Sequence, residues 1–283
     1  MINAALAMEG GSLRCMFTAG VVDVFMENDI YFSYVSGVSA GALSAANYVS
    51  KQIGRTADVN LTYVNDKRYV GLDPLLKHRM VFNFDFLLEE IGGKLKPFDY
   101  ETFNNSKQRF SCVATNVRTG KPEFFEKGVC SEILTAVRAS ASLPLLSKMQ
   151  DLNGEKYLDG GFTMRIPFEK CMSEFEKTVV ITTREKGFRK LPVTGAMKGA
   201  YEAAYHGYPK LVDALVNRPR VYNAQMRELD KLEEEGKLFV IRPQRPITIS
   251  RVEKDTEKLK ALYEDGRRIG AEMLESMKEY LAN

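Results

Sequence analysis

The sequence predicts an α/β protein built on a mainly parallel sheet, and three observations carry that expectation. Short apolar runs that fit buried strands recur at Ala4 to Met8, before Ser36, at Thr178 to Thr183 and at Leu238 to Ile241. Segments with helical apolar spacing lie between them. The first fifty residues already read strand, helix, strand, helix, the order of parallel strands joined by crossover helices.

Taken in order, Ala4 to Met8 is the first strand and Gly10 to Cys15 a loop. Phe17 to Asn28 is a helix, because Phe17, Val21, Val24 and Phe25 recur on one face. A second strand ends at Ser36, and the small-residue run Ala42-Leu43-Ser44-Ala45-Ala46 belongs to the next helix. From about Tyr63 to Phe103 the alternation gives way to aromatic and basic residues, among them Tyr69, Phe82, Phe84, Phe86 and Phe98 with Lys77, His78, Arg79, Lys94 and Lys96. This stretch reads either as a cap over a site or as an irregular insertion with a small core of its own. Phe110 to Val117 and Glu123 to Phe125 form a hairpin around Thr119-Gly120-Lys121-Pro122. Cys130 to Ala141 has helical spacing and stops before Pro144. Asn153-Gly154 turns a second hairpin that leads through Lys156-Tyr157-Leu158 to Asp159-Gly160-Gly161. Helices separate the two late strands, one carrying Tyr222, Met226 and Leu229 on one face and stopping near Gly236. A last helix, from about Glu253 to Leu281, turns Leu259, Leu262, Ile269, Met273 and Met277 toward the core.

Composition narrows the function classes. The chain has 283 residues, 45% apolar and 27% charged, with no internal repeat or low-complexity tract, which favours one large domain. A net charge of +3 and a pI near 8.5 are too mild for a nucleic-acid partner, and no Lys/Arg block or zinc-like spacing supports one. Cys15, Cys112, Cys130 and Cys171 are isolated, as expected of reduced thiols in a cytosolic protein. The N-terminal residues lack a basic region, and Glu9-Gly10-Gly11 interrupts them. No run approaches the ~18 apolar residues of a membrane span. The expectation is a cytoplasmic protein that is neither secreted nor membrane-spanning, with contact at a membrane surface left open. Nothing in the sequence indicates an oligomeric state.

The chemistry concentrates in three glycine-bearing loops at the ends of expected strands: Glu9 to Arg14, Gly37 to Gly41, and Asp159-Gly160-Gly161. Carboxyl ends of parallel strands form the ligand crevice of an open sheet, so the three can converge. Gly37-Val38-Ser39-Ala40-Gly41 has the form of a nucleophile elbow, in which Gly37 and Gly41 leave room for a serine on a sharp strand-to-helix turn. Serine needs a base. His206 follows Ser39 and Asp159 in the order of α/β-hydrolase triads, yet it lies in a helical context. His78 lies in the basic insertion, and Asp159 is the remaining base. A partly buried carboxylate between glycines accepts a proton better than one in water. Backbone N–H groups of the Gly10 to Arg14 loop form a nest for an oxyanion, where one donor is worth about 3 to 4 kcal/mol. A phosphate cradle for a nucleotide is disfavoured, because Gly-Lys-Ser/Thr and a full G-x-G-x-x-G are both missing.

With these motifs the chain resembles the bacterial patatin-like phospholipases. The resemblance extends to Ala114-Thr115-Asn116-Val117-Arg118-Thr119-Gly120, Ala139-Ser140-Ala141-Ser142-Leu143-Pro144 and Phe239-Val240-Ile241-Arg242-Pro243. It implies a three-layer α/β/α fold and a Ser/Asp dyad that hydrolyses acyl esters of lipids through an acyl-enzyme, without metal or cofactor. Carried over, Ser39 is the nucleophile, Asp159 the base, and the amides of Gly10, Gly11 and Ser12 the oxyanion hole. Arg14 occupies the family's basic position, bracing that loop or meeting a phosphate. Ser12 and Cys15 stand where the family typically has glycine. A positive φ at Ser12 is expected to cost of order 1 kcal/mol, and an amide turned away would remove a donor. A catalytically weak or inactive lipid-binding or regulatory protein on the same fold, and a Ser39/Asp159/His206 triad esterase, are the alternatives.

Overall fold

The computed structural model describes residues 1–70 and 81–283. Its strands are β1 (Ile2–Met8), β2 (Phe32–Val38), β3 (Arg109–Asn116), β4 (Pro122–Glu126), β5 (Gln150–Leu152), β6 (Glu155–Asp159), β7 (Thr178–Ile181) and β8 (Phe239–Ile241). The helices that bear on the argument are α1 (Cys15–Glu27), α2 (Ala40–Val49), α3 (Arg55–Tyr63), α4 (Tyr100–Asn105), α5 (Ile133–Ala141), α6 (Phe168–Glu174), α7 (Gly195–Ala204), α8 (Pro209–Glu234), α9 (Thr256–Glu272) and α10 (Leu274–Ala282).

β1 is buried on both faces because its side chains alternate between two apolar layers. Ala4, Leu6 and Met8 join one core cluster, and Ala5 and Ala7 join another. The larger cluster is filled by Phe17, Val21 and Phe25 of α1, by α2 and by Leu259 and Ile269 of α9. The opposite one takes Phe168 and Cys171 of α6 with Tyr222, Met226 and Leu229 of α8. Helices thus cover both faces of the sheet, giving the three-layer α/β/α arrangement.

Strands β8, β7, β1, β2 and β3 run parallel in that order. Past β3 the sheet changes character. β4 pairs antiparallel along one edge of β3, from Ser111↔Glu126 to Thr115↔Pro122. On the other edge β2 stops at Val38↔Val113, and β6 takes over antiparallel at Ala114↔Asp159. The carboxyl ends of β2 and β6 therefore meet head-on along one side of β3.

The second strand runs two residues further than its apolar pattern predicts, through Gly37 and Val38, so it ends against Ser39. The expected last helix is two helices, broken at Met273 between α9 and α10. Cys130 lies outside α5, which begins at Ile133. In the aromatic stretch, Tyr69, Phe82, Phe84 and Phe86 are buried in a third cluster, and the first three also line a cavity. Lys77, His78 and Arg79 lie outside the described residues.

Candidate active site

Ser39 sits between the end of β2 and the start of α2 with φ 57° and ψ −128°, a left-handed region that a serine occupies only when its surroundings hold it there. Two neighbours hold it. Its N–H donates to Ser140 Oγ at 2.8 Å, and its carbonyl accepts from the Ala42 N–H at 2.9 Å. A Cβ at Gly37 would lie 2.5 Å from the Gly41 carbonyl oxygen, and one at Gly41 would lie 2.7 Å from the Glu9 carbonyl oxygen. Glycine is required at both positions by the closeness of the chain crossings.

Asp159 ends β6, where its N–H donates to the Ser142 carbonyl at 2.7 Å and its carbonyl accepts from Thr115 Oγ1 at 2.9 Å. The Ser39 hydroxyl donates to Asp159 Oδ2 at 2.6 Å. The other carboxylate oxygen accepts from the Gly161 N–H at 2.7 Å. Both side chains are buried, Ser39 6% and Asp159 2% exposed. Burial pushes the Asp159 carboxyl above the ordinary carboxylate range, opposed by its hydrogen bonds with Ser39 and Gly161 and by the charges of Arg165 and Arg218. Such a group is a stronger proton acceptor than a solvated aspartate.

His206 follows α7 on an exposed turn, while the Ser39 hydroxyl contacts the carboxylate directly with no imidazole between them. The loop after β1 differs in part from expectation. The Gly10 N–H is taken by the Arg165 carbonyl at 3.3 Å, because the chain beyond Gly161 folds back over it. Among the described residues the Gly11 and Ser12 N–H groups have no hydrogen-bond partner. Ser12 adopts φ 50°, so this serine takes up the left-handed backbone that a glycine would favour. Cys15 is inert packing: its thiol is pushed up to about 12, mainly by burial, and points at the Glu9 carbonyl.

Three polar supports have no signature in the sequence. Glu9 is fully buried and accepts from Arg165 Nε at 2.9 Å and the Thr183 N–H at 2.6 Å, tying the loop after β1 to the ends of β6 and β7. Burial lowers Arg165, but Glu9 beside it prevails and holds the guanidinium above its ordinary value. Gln225 of α8 accepts from the Arg165 N–H and donates to the Ile166 carbonyl, each at 3.2 Å. Arg14 lies buried beside this network, with burial and then Arg165 and Arg184 bringing it down to about 10.

On one side Ser39 opens into a cavity of about 300 Å³. Leu43, Val59, Phe82, Phe84, Leu87 and Val137 give it an apolar wall, and Ser12 lies at the same cavity. Among the described residues no cluster of His, Cys, Asp or Glu is arranged to hold a metal.

Fold and site together define an α/β/α protein with a serine and a carboxylate in contact where β2 and β6 meet end to end. A family model described as patatin-like phospholipase matches residues 6–172, more than half of the chain, and the chain belongs to this family. A second model, described as a domain of unknown function (DUF6363), matches residues 208–282. The chain is 30% identical over 185 residues to the uncharacterized protein YjjU of Escherichia coli (strain K12), covering 62% of this chain and 50% of YjjU. It is 24% identical over 190 residues to the uncharacterized protein R571 of Acanthamoeba polyphaga mimivirus, covering 62% of this chain and 64% of R571. The match thus spans half of the first relative and under two thirds of the second. VipD from Legionella pneumophila shares the fold, with a TM-score of 0.52 at 14% identity over 98% of this chain and 67% of VipD.

Proposed function

We propose that the chain is a serine hydrolase that cleaves acyl esters of lipids through Ser39 and Asp159. The observation that carries this reading is the 2.6 Å contact between the Ser39 hydroxyl and the Asp159 carboxylate at the wall of an apolar cavity. An acyl chain lies in that cavity with its carbonyl carbon at Ser39 Oγ. As the Oγ–C bond forms, the hydroxyl proton passes to Asp159 Oδ2 and the carbonyl electrons move onto oxygen. The N–H groups of Gly11 and Ser12 hold that oxyanion, and the Gly10 amide braces the loop. Collapse expels the alcohol, which takes the proton back from Asp159, and leaves the acyl chain on Ser39. Water, activated by Asp159, then attacks the acyl carbon and releases the fatty acid. Gly37 and Gly41 shape the elbow, and Arg14 supports the oxyanion loop. No metal or cofactor takes part in this scheme.

No helix among the described residues is long and apolar enough to cross a membrane. We propose action in the cytoplasm on dispersed lipid or at a membrane surface, by a chain that folds as one unit.

A fluorophosphonate probe tests the mechanism. The wild-type chain is expected to be labelled and to hydrolyse a lysophospholipid, and Ser39→Ala is expected to lose both. Asp159→Asn is expected to lower turnover by roughly 10⁴-fold or more, as for the loss of one member of a cooperating catalytic set. Retained activity in either variant overturns the dyad. His206→Gln is expected to remain active, and its inactivation with the fold intact would restore the triad.

A further inference from the structure

Five polar groups near the dyad are buried without a hydrogen-bond partner among the described residues: Arg14 Nε, Thr183 Oγ1, Lys190 Nζ, Arg218 Nε and Tyr222 Oη. None of them lines the apolar cavity. They lie close to one another. A Cβ at Gly11 would sit 2.8 Å from Thr183 Oγ1, which places Thr183 against the oxyanion loop. Lys190 Nζ is 3.7 Å from the centre of the Tyr222 ring, and Arg165 Cζ is 5.9 Å from the same ring. Arg218 Cζ stands 4.3 Å over Phe162, three residues beyond Asp159.

Charge makes the grouping unusual. Arg14, Arg165, Lys190 and Arg218 stand together with the exposed Arg251, and the carboxylates they face are Glu9 and Asp159. Both carboxylates are already engaged, Glu9 by Arg165 and Thr183 and Asp159 by Ser39 and Gly161. Among the described residues Arg14, Lys190, Arg218 and Arg251 have no carboxylate partner. Burial, then Arg165 and Arg218, hold Lys190 well below its ordinary value, and burial, then Arg165 and Arg251, bring Arg218 to about 9. Shut-off cations without counter-charge are costly, and an anion among them removes the cost.

We propose that this cluster binds the phosphate of the lipid headgroup, so that the enzyme selects lipids bearing a phosphate with no ammonium attached. The assignment rests on the hydrolase reading above, which places the acyl chain in the apolar cavity. The departing alcohol then lies across the dyad, on the side where Arg218 faces Asp159. Several convergent donors suit the three outer oxygens of a phosphate monoester better than the two of a carboxylate. A choline or ethanolamine group would meet cations there, because both nearby carboxylates are occupied. Lys190, Arg218 and Tyr222 lie outside residues 6–172, so the preference is written by the C-terminal part of the chain.

Two measurements test this. Lysophosphatidic acid and lysophosphatidylcholine of one chain length, in mixed micelles of fixed detergent content, are compared by kcat/KM. The wild-type chain is expected to favour the phosphate monoester at least about tenfold, and Lys190→Gln and Arg218→Gln to shrink that ratio about tenfold each, as for lost charged hydrogen bonds. Wild-type hydrolysis of both lipids at similar kcat/KM overturns the assignment, and so does a preference that survives in folded variants. The second measurement needs no turnover: calorimetric titration of Ser39→Ala with sn-glycerol 3-phosphate, glycerophosphocholine and inorganic phosphate. Binding of the first in preference to both others supports a headgroup site, even if the hydrolase reading fails. Equal binding of glycerol 3-phosphate and inorganic phosphate identifies a free-phosphate site, and absence of binding leaves no anion site; either result overturns the proposal. Loss of fluorophosphonate labelling in the wild type would sink only the hydrolase reading.

Discussion

At the scale of single residues, Asp159 joins two properties that pull against each other. Its folded-state pKa is raised, so folding favours the protonated form. The associated stability is present below the ordinary carboxylate pKa of about 3.9 and is lost as pH rises through the folded value. At neutral pH the ionised group is a burden on the fold. Asp159→Asn is therefore expected to melt no lower than wild type at pH 7 while losing turnover, and a clear drop in melting temperature would contradict this. On the proposed mechanism the same shift is expected to set the acid limb of kcat/KM above pH ~4, with activity falling as pH is lowered. Ser12 gives a second prediction. Relief of its left-handed backbone in Ser12→Gly is expected to add roughly 1 kcal/mol of stability in denaturant titration and to keep activity. Ser39, Asp159 and the glycine loops are legible in the sequence because tight turns admit few residue types. Glu9, Ser140 and Arg165 are not legible as supports: Glu9 meets Arg165 across 156 positions and Thr183 across 174, Ser140 meets Ser39 across 101, and no local spacing encodes such contacts.

At the scale of elements, close approaches decide what can change. Helices α1 and α9 cross where Gly20 and Gly266 face each other's backbones, and a Cβ at Gly266 would fall on the Phe17 carbonyl. Gly266→Ala is expected to cost about 1 to 3 kcal/mol through forced separation of the helices, read as a lowered denaturation midpoint. Leu43 of α2 lines the cavity beside Ser39. Leu43→Trp is expected to shorten the preferred acyl chain, at about 0.8 kcal/mol for each methylene denied burial, and unchanged chain-length selectivity would move the acyl site elsewhere. Most elements follow from the sequence because their apolar periods are strong, as in α1 and α8. The break at Met273 does not follow, because the apolar stripe continues across it through Ile269 and Met277.

At the scale of the whole molecule, residues 208–282 are fastened to the rest by apolar packing in every core cluster. Leu211 and Leu215 enter the cluster beside the cavity, Tyr222 and Met226 the layer under β1, and Leu259 and Ile269 the layer above it. We expect one cooperative unfolding transition, with Met226→Ala lowering stability by about 2 to 5 kcal/mol. Two resolved transitions would divide the chain instead. The parallel half of the sheet is legible from alternating strands and helices, but the head-on meeting of β2 and β6 is not, since pairing partners leave no mark on either strand alone. That junction has a bearing on how the protein comes to life. Ser39 and Asp159 stand 120 residues apart, and a slip of β6 by one residue would carry the carboxylate about 3.3 Å along β3 and onto the opposite face. On the proposed mechanism, reactivity at the serine is withheld from the nascent chain until the last hairpin docks in register, so a half-folded chain is expected not to attack the lipids around it.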